Sequence, residues 1–412
     1  MVEKRFAITG GTLIDGTGRE PLENAIVLVE GQRIVGVGRG DAIKIPGGFE
    51  RIDASGLMVM PGLIDAHIHL IGVVSGNPVD WVVEPSFTQL IRAVAQVRKV
   101  LDAGFTTVRS GGSRYDVYLK RAIEEETIVG PTILAAGRGI RRTGGHMYVR
   151  GDIYNISEEV IEENHPMAMS CDGVEEIRKG VRRLINHGAD QIKVWVSGGA
   201  YWERDRNGDV HFTKEEMEVL VNEAHMLRAR VMAHAENLRA TKLAIAAGVD
   251  TIEHADDDEG NPALDEEACN SMVKKNIILI PTLAVYFIGP WAVETLPKNI
   301  LDSYKLAIEM GVKFAVGSDS YTDSESMTPF GKFSAVEVEK MVSVLGFSPM
   351  DAIVAATKIG AEALGIEDKV GTIEKGKLAD ILLVDGNPLE NISVLVERKN
   401  IKSIIKGGKV IR

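Results

Sequence analysis

Residues 190–199, DQIKVWVSGG, are a short apolar run held between an acidic residue and two glycines. A run of this length and composition reads as a buried strand. Lys193 stands inside it, where a lone ammonium is expensive. Two explanations fit. The side chain snorkels its charge outward or pairs with a carboxylate, or it is chemically altered and binds something. Downstream, TKEEMEVLVNEAHMLRA (213–229) reads as a helix, with Thr213 as N-cap and Glu216 at the capping-box position. A second strand-like run, RVMAHAE (230–236), follows directly.

The same alternation extends along most of the chain. Strand-like runs occur at GLIDAHIHL (62–70), TTVRSGG (106–112), TILAAGR (132–138), QIKVWVSGG (191–199), RVMAHAE (230–236), DTIEHAD (250–256), IILIPTL (277–283) and KFAVGSDS (313–320). Helical stretches separate them; NLRATKLAIAAG (237–248), for example, closes on Gly248. Eight strand–helix units predict an α/β fold, a (β/α)8 TIM barrel over residues 57–367. Residues 1–56 and 368–412 read differently, as short alternating strands between glycine-rich turns, including AIVLVEGQRIVGVG (25–38) and GTIEKGKLADILLVD (371–385). Neither end carries enough apolar surface for its own core, so the two are expected to pack together as one small β-sandwich. Two connections are long, at about 139–171 and 285–298, and both follow strand C-termini. That placement suits a catalytic loop or an oligomer contact.

The 412 residues are 45% hydrophobic and 26% charged, an ordinary globular composition. The net charge of −12 arises from 47 basic against 59 acidic residues, with no basic block, which argues against a nucleic-acid partner. No apolar run approaches the eighteen or so residues of a membrane span, so no membrane partner is expected. Only Cys171 and Cys269 are present, and residues 1–11 lack a secretory pattern; a reducing, cytoplasmic setting is the expectation.

The ionisable residues collect at strand ends. His67 and His69 alternate by two on strand one and so face one way. His234 ends strand five, His254 strand six and Asp319 strand eight. Any one of them reads as a satisfied core histidine or a helix cap. Converging with Lys193 on the C-terminal mouth of one barrel, they suit divalent metal ions, zinc first, with manganese, iron or nickel as alternatives. His146, in RRTGGH (141–146), follows two glycines that let backbone approach closely and reads as substrate-facing. Arg142, Tyr201, Trp202 and Glu236 are further candidates for the substrate pocket, although aromatics after a strand also serve packing. An acid such as Glu236 also suits the first turn of a helix. His187 and His225 in helices and His211 in a turn read as solvated; His165 has no evident role.

PGLIDAHIHL (61–70) and GTIEKGKLADILLVDGNPL (371–389) resemble the metal-dependent amidohydrolase superfamily over nearly the whole chain. Lys193, HA at 234–235, EH at 253–254 and RRTGGH are similar to its imidazolonepropionase-like and Xaa-Pro or Xaa-Arg/Lys dipeptidase branch. The resemblance implies a carboxylated Lys193 bridging two divalent ions. His67 and His69 would hold one ion and His234 and His254 the other, with Asp319 as ligand and proton acceptor. It further implies attack of a bridging hydroxide on the C–N bond of a small-molecule amide, with His146 stabilising the oxyanion, in a homo-oligomer. Dipeptidase members often carry Tyr or His where Glu236 stands, which argues against recognition of an α-carboxylate there. Two rivals remain at this level. A mononuclear deaminase or chlorohydrolase would lack the strand-four lysine and place its Glu three residues after the strand-five histidine; a non-catalytic scaffold would have lost ligands.

Overall fold

The computed structural model describes residues 4–199, 205–257, 259–289, 292–324 and 327–412. Seven of the eight strand-like runs are parallel strands: Leu63–Val73, Phe105–Ser110, Thr132–Leu134, Gln191–Trp195, Arg230–Ala235, Thr251–His254 and Ile278–Ile280. Their residues are almost uniformly buried, as parallel strands covered by helices must be. Strands one to three form one sheet and strands four to seven another. Single hydrogen bonds join the two. The amide of Asp190 donates to Ala135 O at 2.7 Å, and on the far side residues 313–319 thread between strands seven and one. There Ala315 N donates to Leu279 O, Ala66 N to Val316 O and Asp319 N to His67 O, at 3.0, 2.8 and 2.7 Å. The eight segments therefore follow the order of a (β/α)8 barrel, with a thin ladder at both seams.

The eighth segment differs from a regular strand. Only a bridge at Phe314 and the short strand Ser320–Thr322 carry ladder pairing. Asp319 lies between them with φ of 55°, a left-handed conformation rare for a non-glycine residue. Gly317 packs so closely on strand one that a Cβ there would stand 2.8 Å from His67 Cβ. The chain gives up its pleat in order to turn Asp319 toward the histidines. Asp65 holds the arrangement from beneath: its carboxylate accepts from His67 N, Ser318 N, Ser318 Oγ and Ser334 Oγ, at 3.1, 3.0, 2.7 and 2.6 Å. Among the helices, the Thr213–Glu216 capping box and the left-handed Gly248 terminator are both present.

The chain ends meet in one continuous eight-stranded sheet instead of two separate ones, because Leu57–Pro61 pairs antiparallel with Ile381–Asp385. Alternation gives this sheet two duties. Ile381 and Leu383 pack with Phe6, Ile8, Val27 and Val29, whereas Leu382 and Val384 join the core beneath the barrel helices.

The connection after strand three is built rather than loose. Gly139–Arg141 and Ala168–Ser170 pair in parallel and extend the edge of strand four, and the helices Gly151–Tyr154 and Glu158–Asn164 lie between them. Neither of these two short strands stands in an apolar run that marks it in the sequence. His165 acquires a role here: its Nε2–H donates to Met147 O at 2.8 Å, while Nδ1 accepts from the amides of Met167 and Ala168. It is a neutral staple, with burial pushing its pKa well below the usual value. His187 and His225 are exposed, but His211 is buried, contrary to its reading as solvated. No helix among the described residues is long and apolar enough to cross a membrane.

Asp65→Ala leaves buried donors on two segments without an acceptor. It should lower unfolding stability of the metal-stripped protein by on the order of 3 kcal/mol in urea titration, with m unchanged. A loss within error of zero would remove Asp65 from this role.

Candidate metal centre

Five imidazoles run in a contiguous row. Ring centroids are separated by 5.2 Å for His69–His67, 5.0 Å for His67–His254, 4.7 Å for His254–His234 and 4.5 Å for His234–His146, the last pair stacked at 17°. Two groups of donor atoms emerge within the row. His67, His69 and Asp319 offer ligand atoms within 4.8 Å of one another, and so do His234, Glu236 and His254. Asp319 Oδ1 lies 3.0 Å from His69 Nε2 and 3.4 Å from His67 Nε2. Lys193 Nζ is 3.1 Å from His67 Nε2, so its ammonium donates into the lone pair a metal ion would use.

Three of the rings have their Nδ1 beside a second partner, the arrangement used by metal-binding histidines, while His234 Nε2 lies 3.2 Å from Gly198 O. His69 Nδ1–H donates to Gly112 O at 3.1 Å, and His254 Nδ1 lies 2.8 Å from Thr282 Oγ1. His67 Nδ1 stands 2.8 Å from Glu253 Oε2, although off the line of a well-formed hydrogen bond. Glu253 is fixed in turn by Arg109, whose Nη2 donates to Oε1 at 2.9 Å and whose Nε donates to Ala66 O at 2.6 Å. Gly111 leaves room for the pair: a Cβ there would lie 2.7 Å from His67 Nε2 and 2.9 Å from His69 Cε1.

Burial sets the protonation states. It lowers His67 to about 4, with the Lys193 charge adding to the effect, and lowers His234 and His254 well below the usual value. These rings are neutral, ligand-ready imidazoles at physiological pH. Lys193 is brought down to about 8 by burial against the partial support of Glu253 and Asp319. Burial opposes the Asp319 charge, yet His67, His69 and His254 together hold its carboxyl well below the usual range. Glu253 behaves alike: burial raises it, and Arg109 and His67 bring it down to about 2. Neutral nitrogens, two ionised carboxylates and a weakened amine in one buried space form a donor set that fits divalent cations.

The sequence-predicted residues thus converge. His67, His69, Lys193, His234, His254 and Asp319 share one site, and His146 adjoins it. Glu236 falls beside the second histidine pair, with Oε1 3.5 Å from His234 Nε2. Arg142 is partly exposed, donates to Thr143 O and acts electrostatically on His211. Tyr201 and Trp202 lie outside the described residues. Several supporting groups escaped the sequence reading: Arg109, Glu253, Thr282 and Asp205, which lies 2.6 Å from His146 Nδ1. Arg109 carried the same signal as Lys193, a charge inside an apolar strand.

Residues 58–411 match the Amidohydrolase family. The chain is similar to ochratoxinase of Aspergillus niger, with 30% identity covering 98% of this chain and 86% of that protein. Among solved structures it resembles a prolidase complexed with N-methylphosphonate-L-proline, at TM-score 0.87 and 30% identity over 99% of this chain and 100% of the other. A Xaa-Pro dipeptidase with methionine in its active site gives TM-score 0.85 and 31% identity, again over 99% and 100% of the two chains. With the family matched across nearly the whole chain and the site assembled at the strand ends, the protein belongs to the amidohydrolase family and is a hydrolase acting on C–N bonds.

Proposed function

We propose that the protein is a binuclear amidohydrolase that cleaves a small amide: a dipeptide, an N-acyl amino acid, or a cyclic or aryl amide. The observation that carries this reading is the position of Lys193. It touches His67, and it lies close enough to His234 and His254 for its charge to add to burial in lowering both. A carbamate formed there from CO2 and the neutral amine would turn an unfavourable cation into an anion shared by two ions. His67, His69 and Asp319 would hold one ion, His234 and His254 the other, with zinc favoured by the nitrogen and oxygen donors. Bound divalent ions supply Lewis-acid polarisation of the carbonyl and a water acidic enough to attack it.

The protein's own groups carry the rest. Asp319, ionised and aimed between His67 and His69, accepts the proton of the attacking water and passes it to the leaving nitrogen. His146 Nδ1–H donates to buried Asp205, so donation from Nε2 to the developing oxyanion requires the imidazolium form. Glu236 places negative charge beside the second pair and favours an NH-bearing substrate group over a carboxylate there. Buried, unpaired Cys171 and Cys269 accord with a reducing cytoplasm.

Lys193→Ala should lose metal and activity together, and short carboxylic acids should restore part of both while amines do not. Metal per chain and turnover, each measured with and without added acid, check this; wild-type metal content in the variant would remove the bridge. Asp319→Asn should retain metal but lose on the order of 10²-fold or more in kcat, since the amide cannot accept the proton. Near-normal turnover would overturn that assignment.

The lowered Lys193 pKa gives a pH dependence with a definite sign. Below about 8 the ammonium dominates and does not react with CO2, and the neutral fraction rises about tenfold per pH unit up to that value. Reconstitution of metal-free protein should therefore accelerate from pH 6.5 to 8 and flatten above it, and added bicarbonate should increase the rate throughout. A rate independent of both pH and bicarbonate would exclude the carbamate.

A further inference from the structure

A groove of about 610 Å³ lies between the helices Ser86–Asp102, Asp116–Glu124 and Gly173–Asn186. No residue of the metal centre lines it. Its volume falls within the roughly 300–1,000 Å³ typical of small-molecule sites. Phe87, Leu90 and Tyr118 supply an apolar wall, and Phe87 and Tyr118 are left 78% and 66% exposed. Arg114, Arg138 and Arg183 supply the charge, and no carboxylate is among the lining residues. In a chain with a net charge of −12, three guanidinium groups gathered without an acid are a departure from the rest of the surface.

These arginines retain bonding capacity. None of the three is in an ion pair among the described residues. Arg138 donates from Nη1 to Glu162 O at 2.5 Å, which fixes its side chain at the edge of the groove. Arg114 Nη1 is a buried donor with no acceptor, an arrangement that costs free energy until something accepts from it. The charges also oppose one another. Burial lowers the pKa of Arg138, and Arg114 and Arg183 lower it further against the support of Glu162. An anion among the three would relieve that repulsion and accept from Arg114. The frame around them is already tied down, because Ser113 N donates to Gly137 O at 2.8 Å and Arg114 N to Pro166 O at 2.7 Å. A ligand entering a groove held in this way orders little on binding.

We propose that the groove is a binding site, separate from the metal centre, for a small amphipathic anion. Its aromatic or alkyl body would lie on Phe87, Leu90 and Tyr118, and its carboxylate or phosphate head among Arg114, Arg138 and Arg183. Guanidinium groups pair with either head through two parallel N–H bonds. The apolar wall is what requires the body, since a bare inorganic ion covers none of it.

Isothermal titration calorimetry on the full-length, metal-loaded protein tests this with four probes: 2-naphthoate, 2-naphthyl phosphate, the neutral alcohol 2-naphthylmethanol, and inorganic phosphate. At least one of the two naphthalene anions should bind on the order of tenfold or more tighter than both the alcohol and inorganic phosphate. The tighter of the two identifies the head. Arg183→Glu, and separately Phe87→Asp with Tyr118→Asp, should each weaken that binding by on the order of tenfold or more while circular dichroism stays unchanged. Arg114→Gln should weaken the anions and leave the alcohol unaffected. Stripping the metal should leave the groove affinity as it was, which distinguishes this site from a carboxylate bound at the metal centre. Failure of both naphthalene anions to bind, equal binding of the alcohol or of inorganic phosphate, wild-type affinity in the groove variants, or loss of binding together with the metal would each overturn the proposal.

Discussion

The structure depends on a buried electrostatic balance. Three neutral imidazoles, an amine, a guanidinium and two carboxylates occupy the interior of one barrel, where any uncompensated charge is costly. Arg109 ties Glu253 to strand one through Ala66, and Glu253 in turn faces His67. Strands one, two and six are thereby locked in register by charge as well as by backbone pairing. The donor atoms are held apart by their second partners, so the centre is organised before any ion arrives.

The same balance explains the irregular segments. Asp319 reaches the histidines only because its backbone accepts a left-handed turn, and Asp65 and Gly317 make that turn tolerable. Strain of this kind concentrates at functional sites, where surrounding structure over-determines the geometry. His254 and Thr282, both at positive φ and in contact through Nδ1 and Oγ1, repeat the pattern on the opposite side of the ring.

Much of this was legible in the sequence, and the exceptions have physical causes. Alternation of two located His67 and His69, and the strand ends located His234, His254 and Asp319, because convergence at a barrel mouth follows from connectivity alone. The family likeness, not the spacing, suggested the carboxylated form proposed for Lys193. Glu253 and Arg109 were missed because their meaning lies in a contact between strands two and six. Asp205 was missed because its segment reaches His146 across a connection with no periodic signal. His211 was misread because a turn position says nothing about what folds over it. The eighth strand was placed correctly but drawn too regularly, since propensity cannot register the backbone turn that brings Asp319 to the histidines.

The sheet that unites the two ends has a consequence for synthesis. Pro61 pairs with Ile381, so that edge of Leu57–Pro61 stays open until residues 381–385, more than 300 positions later, have left the ribosome. That edge leads directly into His67 and His69. The barrel's helices are free to form as they emerge, whereas the strand bearing His67 and His69 gains its full support last. A nascent chain therefore has a long interval with an unpaired hydrophobic edge, in which chaperone capture or strand-to-strand aggregation competes with completion of the fold.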